Sequence, residues 1–430
     1  MGRWELFGWV RHAPVSSGGS DERFCTAIAA IIIACCNTLA HPAHRARVAP
    51  GDYSCPMILT QCAFCAADLG LTLGKKCGRC STRYCGPECQ KKHWEEGGHD
   101  QLCKKIKKAG GHEQYHADKK YKEAVAVAVE KCADDTKGQT CFICTQALHW
   151  KTKEGLVRGC ACRGTAGFAH VSCLAEQVKI LWAEAEENNL DHKVKMARWS
   201  RWSDCSLCEQ RYHGVVRCAL GWACWKTYVG LPEGAIRLMA MNLLHLGLAV
   251  AGHHEDALSV GETWLSMYRG NGASEENLLV VQGALANSYE QVGRIEQALQ
   301  MRRDVYLGLL RLNGEECPET LREASNYAKS LMDLERFDEA KLLLRKTIPV
   351  ARRVLGEGKE TTLRMRCSYA RMLSLEAGES VADALREAVD TLEDVVRISR
   401  RVLGDAHPLT KTTEAHLRPV RGALETIRTL

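Results

Sequence analysis

Cysteine and histidine recur in two sets whose spacing suits metal chemistry. The first reads Cys62-x2-Cys65, Cys77-x2-Cys80, Cys85-x3-Cys89 and His99-x3-Cys103. The second reads Cys141-x2-Cys144, Cys160-x-Cys162, His170-x2-Cys173 and Cys205-x2-Cys208. Each set holds seven Cys and one His. Thiolate sulfur and imidazole nitrogen are the donors that zinc prefers, four to an ion in tetrahedral array. Eight donors therefore close two sites per set, and the chain is predicted to hold four zinc ions. A two-residue gap lets both sulfurs of a knuckle turn toward one ion. The three-residue gap before Cys103 puts His99 and Cys103 on one face of a helix. Every coordination position is filled by protein, with none left for water, so the expected role is structural and not hydrolytic.

The 23 cysteines allow one competing explanation. In a secreted chain they would form disulfides; in a reducing compartment they would ligate metal. Disulfides place no demand on His, yet a His falls at ligand spacing in each set. That favours zinc and a cytoplasmic or nuclear location. Phe24 to Cys36 (FCTAIAAIIIACC) is the opposing signal. It is shorter than the roughly 20 apolar residues needed to cross a bilayer. It has the look of a signal-peptide core, but Asp21 and Glu22 sit directly before it. Cys132, Cys218 and Cys224, with Cys25, Cys35, Cys36 and Cys55, lie outside both sets and are expected to be free thiols.

Other chemistry is not visible. The chain has no phosphate-cradling glycine loop, no G-x-S-x-G elbow and no H-E-x-x-H pair. His253-His254 stand beside Glu255 and Asp256, in what reads as a turn. A formal net charge of +6 over 430 residues is too small to argue for nucleic acid. The run Lys104, Lys105, Lys107 and Lys108 reads as a solvated helix face. No small-molecule substrate, nucleic acid or membrane partner is expected.

The elements around these donors divide the chain. Residues 1–51 lack periodicity and read as a disordered or leader-like segment. Residues 52–104 and 139–230 are the Cys-rich modules. Residues 105–138 form a helical linker, in which KKYKEAVAVAVEKCA has high helix propensity and Gly110-Gly111 break the preceding helix. From 236 to 430 Cys nearly vanishes, and Leu, Ala, Glu and Arg dominate. There Ala286, Ala328 and Ala370 recur every 42 residues, as do Gly272, Gly314 and Gly356; Ala257, Ala298 and Ala340 follow at 41 and 42. Each unit reads as helix, turn, helix and Gly-containing loop. The turns are Gly252-His253-His254, Val292-Gly293-Arg294 and Leu334-Glu335-Arg336. After Gly356 the next equivalent is Gly404, a longer step, as expected at the end of an array.

Three family resemblances rest on these strings. YCGPECQKKHW resembles the MYND zinc finger. That resemblance implies interleaved sites, with Cys62, Cys65, Cys85 and Cys89 on one ion and Cys77, Cys80, His99 and Cys103 on the other. It also implies binding of proline-containing peptides. Glu95-Glu96-Gly97-Gly98 lengthens the usual gap, which leaves His93 as an alternative to His99. CFIC, CACRGTAGFAHVSCL and CSLCEQRY resemble the RING-CH (RING-variant) finger. By that resemblance Cys141, Cys144, His170 and Cys173 hold one ion, and Cys160, Cys162, Cys205 and Cys208 the other. The family docks a ubiquitin-conjugating enzyme, which implies a RING-type ubiquitin-protein ligase, and the docking surface implied here is Ile143, Trp182 and Leu207. Two departures stand out: Gln177 occupies the family's usual Trp position, and Cys173 to Cys205 is a long gap. ALANSYEQVGRIEQA, with small residues at Ala286, Gly293 and Ala298, resembles the tetratricopeptide repeats of kinesin light chains more than HEAT or armadillo repeats. The expected fold is therefore multi-domain: two small zinc-stapled cross-brace fingers and an all-α tetratricopeptide-like solenoid. The expected partners are proteins, namely a ubiquitin-conjugating enzyme and substrate peptides or helices.

Overall fold

The 42-residue period becomes a series of helical hairpins. A computed structural model describes residues 62–429, apart from 66, 68, 70–73, 232–233, 271, 376–380 and 406. The segment 1–51 and the four cysteines Cys25, Cys35, Cys36 and Cys55 lie outside the described residues. The described residues form two compact units, one ending at Leu312 and the other beginning at Asn313.

In the first unit a two-stranded antiparallel hairpin, β1 (Lys75–Lys76) and β2 (Arg83–Tyr84), precedes α1 (Pro87–Glu95), α2 (His99–Lys108) and α3 (His112–Lys131). Next come α4 (Val171–Glu187), α5 (His192–Trp199), a single 3-10 turn (Ser200–Trp202) and α6 (Gly214–Tyr228). Asp191 caps α5 by accepting hydrogen bonds from the Lys193 and Val194 amides. The unit ends with two repeat hairpins: α7 (Ala235–Val250) with α8 (His254–Gly270), and α9 (Glu275–Gln291) with α10 (Ile295–Asn313). The second unit continues with α11 (Pro318–Asp333), α12 (Phe337–Leu355), α13 (Glu360–Leu373), α14 (Val381–Leu403) and α15 (Pro408–Thr429). There each helix packs on the next, and α13 also touches α11 and α15. Neighbour-on-neighbour stacking of this kind is what a repeat array requires.

The repeat positions explain themselves by burial. Ala257, Ala298 and Ala340, and Ala286, Ala328 and Ala370, are all fully buried. Small side chains let the two helices of a hairpin approach closely there. Gly252 and Gly293 end their helices in the left-handed region, and Glu335 holds the same place with φ 57°. Among the described residues no helix is long and apolar enough to cross a membrane.

One organisational expectation changes. The shift in composition near residue 230 is not a boundary of packing. A single core runs from Ala117 on α3 through Phe168, Trp202 and Trp225 to Leu285 on α9. Helix α6, counted in sequence with the second Cys-rich module, lies tightly against α7. A Cβ on Gly221 would stand 2.9 Å from the Leu243 carbonyl oxygen, and one on Gly247 3.0 Å from that of Arg217. The linker helix α3 also packs on α6. Composition reports where cysteine is used; burial follows apolar side chains, and these continue across the change.

Candidate metal centres

Three of the knuckles are built alike. In the first module the β1–β2 turn places Cys77 and Cys80: the Cys77 amide donates to Thr82 O at 2.7 Å and the Ser81 amide to Cys77 O at 2.9 Å. In the second module the Cys141 amide donates to Gln146 O at 3.0 Å and Thr145 to Cys141 O at 2.8 Å; Cys205 donates to Gln210 O at 2.9 Å and Glu209 to Cys205 O at 3.0 Å. The residue after the second Cys of each pair, Ser81, Thr145 or Glu209, has φ between 57° and 61°. Non-glycine residues in that region cost on the order of 1–2 kcal/mol each. The turn persists because it aims two sulfurs at one point.

Helices supply several of the remaining donors, while Cys62, Cys65, Cys85, Cys160 and Cys162 come from turns and loops. Cys89 is on α1, and His99 and Cys103 are on α2. His170 is the N-cap of α4, and Cys173 is in its first turn. The ligating atoms then gather into four groups, within 4.8 Å of one another in each: Cys62, Cys65, Cys85 and Cys89; Cys77, Cys80, His99 and Cys103; Cys141, Cys144, His170 and Cys173; Cys160, Cys162, Cys205 and Cys208. Ligand pairs interleave along the chain in both modules, so each ion would cross-link distant segments.

The separations fit zinc. Four sulfurs about 2.3 Å from a tetrahedral centre stand roughly 3.8 Å apart. The observed Sγ···Sγ distances are 3.6 Å for Cys65–Cys85, 3.4 Å for Cys85–Cys89, 3.9 Å for Cys77–Cys103 and 3.8 Å for Cys162–Cys205. A disulfide needs about 2.05 Å, and every described cysteine is free. His99 approaches Cys80 Sγ through Nε2 at 3.4 Å, whereas His170 approaches Cys144 Sγ through Nδ1 at 3.4 Å. The far nitrogen of His170 faces the Ala147 carbonyl at 3.4 Å, which orients the ring as metal-binding histidines require.

The electrostatics ask for a cation. In each group one thiol is drawn below its ordinary range although burial pushes it up. Cys62 comes down to about 7 because the backbone N–H groups of Cys65, Cys85 and Phe64 point at it. Backbone N–H groups act in the same direction on Cys77, Cys141 and Cys208. Several neighbours move the other way. Burial, then crowding by adjacent sulfurs, pushes Cys103 up to about 12 and Cys162 up to about 11. Burial lowers His99 and His170, which keeps both rings neutral and able to donate a lone pair. Clustered thiols of this kind give up their protons most easily beside a positive charge, which a divalent metal supplies.

The choice between His93 and His99 is decided by helix register. The Glu95–Gly98 insertion ends α1 and lets His99 begin α2, one turn from Cys103. His93 stays on α1, where its Nδ1 meets the Tyr84 hydroxyl at 3.0 Å. Of the proposed docking residues, Ile143 and Leu207 are exposed, but Trp182 packs edge-on against Trp199 at 5.0 Å and joins the core. Trp182 is half-buried on α4, so only part of its ring faces outward. Sequence reasoning missed Leu148 and Trp150, both well exposed, in the loop between Cys144 and Cys160. Their signal was two large apolar residues in a polar loop.

Three other cysteines are poorly placed to act as nucleophiles. Burial pushes the Cys218 thiol up to about 12 and Cys224 well above its usual value. Cys367 Sγ lies 3.7 Å from His416 Nδ1, but burial raises the thiol and lowers the imidazole, the reverse of an activated pair.

Gly167 ties the second module to its sulfurs. Its φ is 84°, and a Cβ there would lie 2.6 Å from Cys162 Cβ and 3.2 Å from Cys160 Sγ. Gly167→Ala is therefore expected to leave one zinc fewer by native mass spectrometry, the Cys160-Cys162-Cys205-Cys208 site being lost. Full occupancy in that variant would contradict this account of the site.

Residues 62–103 match the family described as MYND finger, and residues 324–358 and 382–409 match the tetratricopeptide repeat family. No curated protein matches the chain. Among solved structures, the chain is similar to the "Podosopora anserina putative kinesin light chain nearly identical TPR-like repeats": 20% identity, 45% of this chain and 89% of that one, TM-score 0.37. A point variant of that protein gives 21%, 45%, 93% and 0.36. BtubC (BKLC) from P. vanneervenii gives 11%, 60%, 91% and 0.32.

Proposed function

We propose that this chain is an adaptor-type ubiquitin ligase. In this reading the second finger docks a ubiquitin-conjugating enzyme, while the repeats and the MYND finger hold substrate proteins. One observation carries it. Ile143 and Leu207 occupy the same knuckle position, directly before the second cysteine of each pair, and both are exposed. Each backbone N–H donates to the first sulfur of its own pair, Cys141 or Cys205, at 3.4 Å. Two apolar side chains are thus presented by the two metal sites of one finger, the arrangement suited to a rigid docking surface. The finger makes no covalent bond itself; transfer of ubiquitin belongs to the charged enzyme, which docking would orient. The thiol-rich sites call for a reducing compartment, so we place the protein in the cytosol or nucleus.

The test is autoubiquitination by the zinc-loaded chain with ATP, ubiquitin and a panel of conjugating enzymes. Chain formation is expected, and Ile143→Ala/Leu207→Ala is expected to lower it at least about tenfold, roughly 1.4 kcal/mol of docking energy, with all four zinc ions retained. No chains with any enzyme, and no chemical-shift change on adding one, would return the second finger to a zinc-stapled protein-binding module. Gln177 and the half-buried Trp182 are the features that favour that outcome.

A further inference from the structure

A cleft between α3, α6 and the α7–α8 turn is lined by none of the sixteen candidate ligands. Its volume is about 240 Å³. That is below the roughly 300–1,000 Å³ of small-molecule sites and suits one long side chain. The floor is apolar: Val127, Val215, Trp222 and Leu248 line it. Val127 remains 45% exposed, whereas Trp222 and Leu248 are buried.

The polar groups are uneven. Lys120 is committed to Glu123 at 3.5 Å, and Glu123 also meets Lys119 at 3.9 Å. Asp256, half-buried in the first turn of α8, lines the same cleft. It makes neither a hydrogen bond nor an ion pair among the described residues. Burial raises its carboxyl above the usual range, with Lys120 and His253 opposing the rise from a distance. A carboxylate that has lost water without gaining a partner is poised for a cation.

We infer that this cleft binds the basic side chain of a partner polypeptide, its aliphatic stem on the Val127–Trp222–Leu248 floor and its cationic head on Asp256. Long basic side chains lay an apolar stem along such surfaces and keep the charged end at a polar group. Two carboxylates, Glu123 and Asp256, line the cleft with one ammonium, Lys120, and the imidazole of His253, and among the described residues Asp256 is the one without an ion pair. Charge complementarity therefore selects a cation over a neutral or acidic residue.

The probe is Nα-acetyl-arginine amide, titrated into the zinc-loaded full chain with methyl labels on Val and Leu. Nα-acetyl-lysine amide and the neutral isostere Nα-acetyl-citrulline amide are run beside it. Saturable shifts at Val127, Val215 and Leu248 are expected with at least one cation at millimolar concentration, about tenfold weaker for citrulline and for Asp256→Asn, the size of one charge-assisted hydrogen bond. Equal affinity for citrulline and arginine would overturn the inference, as would shifts that persist undiminished in Asp256→Asn. So would the absence of shifts with both cations. The citrulline comparison is made on the wild-type chain, so it holds even if the variant is misfolded.

Discussion

Stripping zinc with a strong chelator is expected to unfold the chain from Cys62 through at least Cys208 while the helices from Pro318 onward keep their protection. The core of the first module shows why. It consists of Cys62, Leu69, Cys77, Cys80, Tyr84, Cys103 and Ile106, so four of its seven buried members are ligands. Three remaining side chains cannot order that stretch unaided. A structural zinc contributes about 10–16 kcal/mol in finger peptides, as much as the whole stability of a typical domain, roughly 5–15 kcal/mol. Losing even one ion outweighs everything else in its module. The second module has more packing, but Cys141, Cys160, Cys173 and Cys205 are themselves part of its core, which also holds Trp199, Trp202 and Trp225. Hydrogen exchange read by mass spectrometry checks the claim. Exchange over residues 75–208 should rise to the unprotected limit on chelation, together with loss of the near-ultraviolet tryptophan signal. Unchanged protection of 141–173 after verified metal loss would show that packing alone holds the fold.

Arg302→Met is expected to destabilise the first unit by about 3–5 kcal/mol, the usual cost of leaving a buried charge without its partner. Arg302 on α10 is 1% exposed, and Glu290 on α9 is buried beside it. Nε donates to Glu290 Oε1 at 2.6 Å and Nη2 to Asn287 Oδ1 at 2.7 Å. The guanidinium thus bridges both helices of one repeat hairpin in a place water does not reach. Met fills the space of the arginine stem, so the loss is electrostatic and not a cavity. Adding Glu290→Leu removes the carboxylate that Arg302 pairs with and should recover most of the stability. Urea denaturation of the single and double variants measures both. If the single variant loses less than about 1 kcal/mol, the pair behaves like an exposed salt bridge, and its apparent burial is not felt.

Several features are legible in the sequence. Donor type and spacing marked sixteen candidate ligands, and all sixteen meet in the expected groups of four. Alanine at a 42-residue period marked the hairpin contacts, because a small side chain lets two helices approach closely. Both signals are local: a knuckle or a hairpin writes its requirement into a few adjacent positions. His93 and His99 could not be separated on the same footing. Both fall near ligand spacing, and the decision lay in where α1 stops and α2 begins.

The sequence by itself determined the chemistry of the amino-terminal half and the repeating hairpins that follow, since each depends on residue type within one or two turns of chain. Tertiary structure alone decided that Trp182 packs on Trp199, that α6 joins the core of the first repeat, and that Asp256 lines an apolar cleft without a hydrogen bond or ion pair among the described residues. Those outcomes depend on which surfaces meet across long separations in the chain. Burial there is set by shape and desolvation between elements, which no local pattern of residues records.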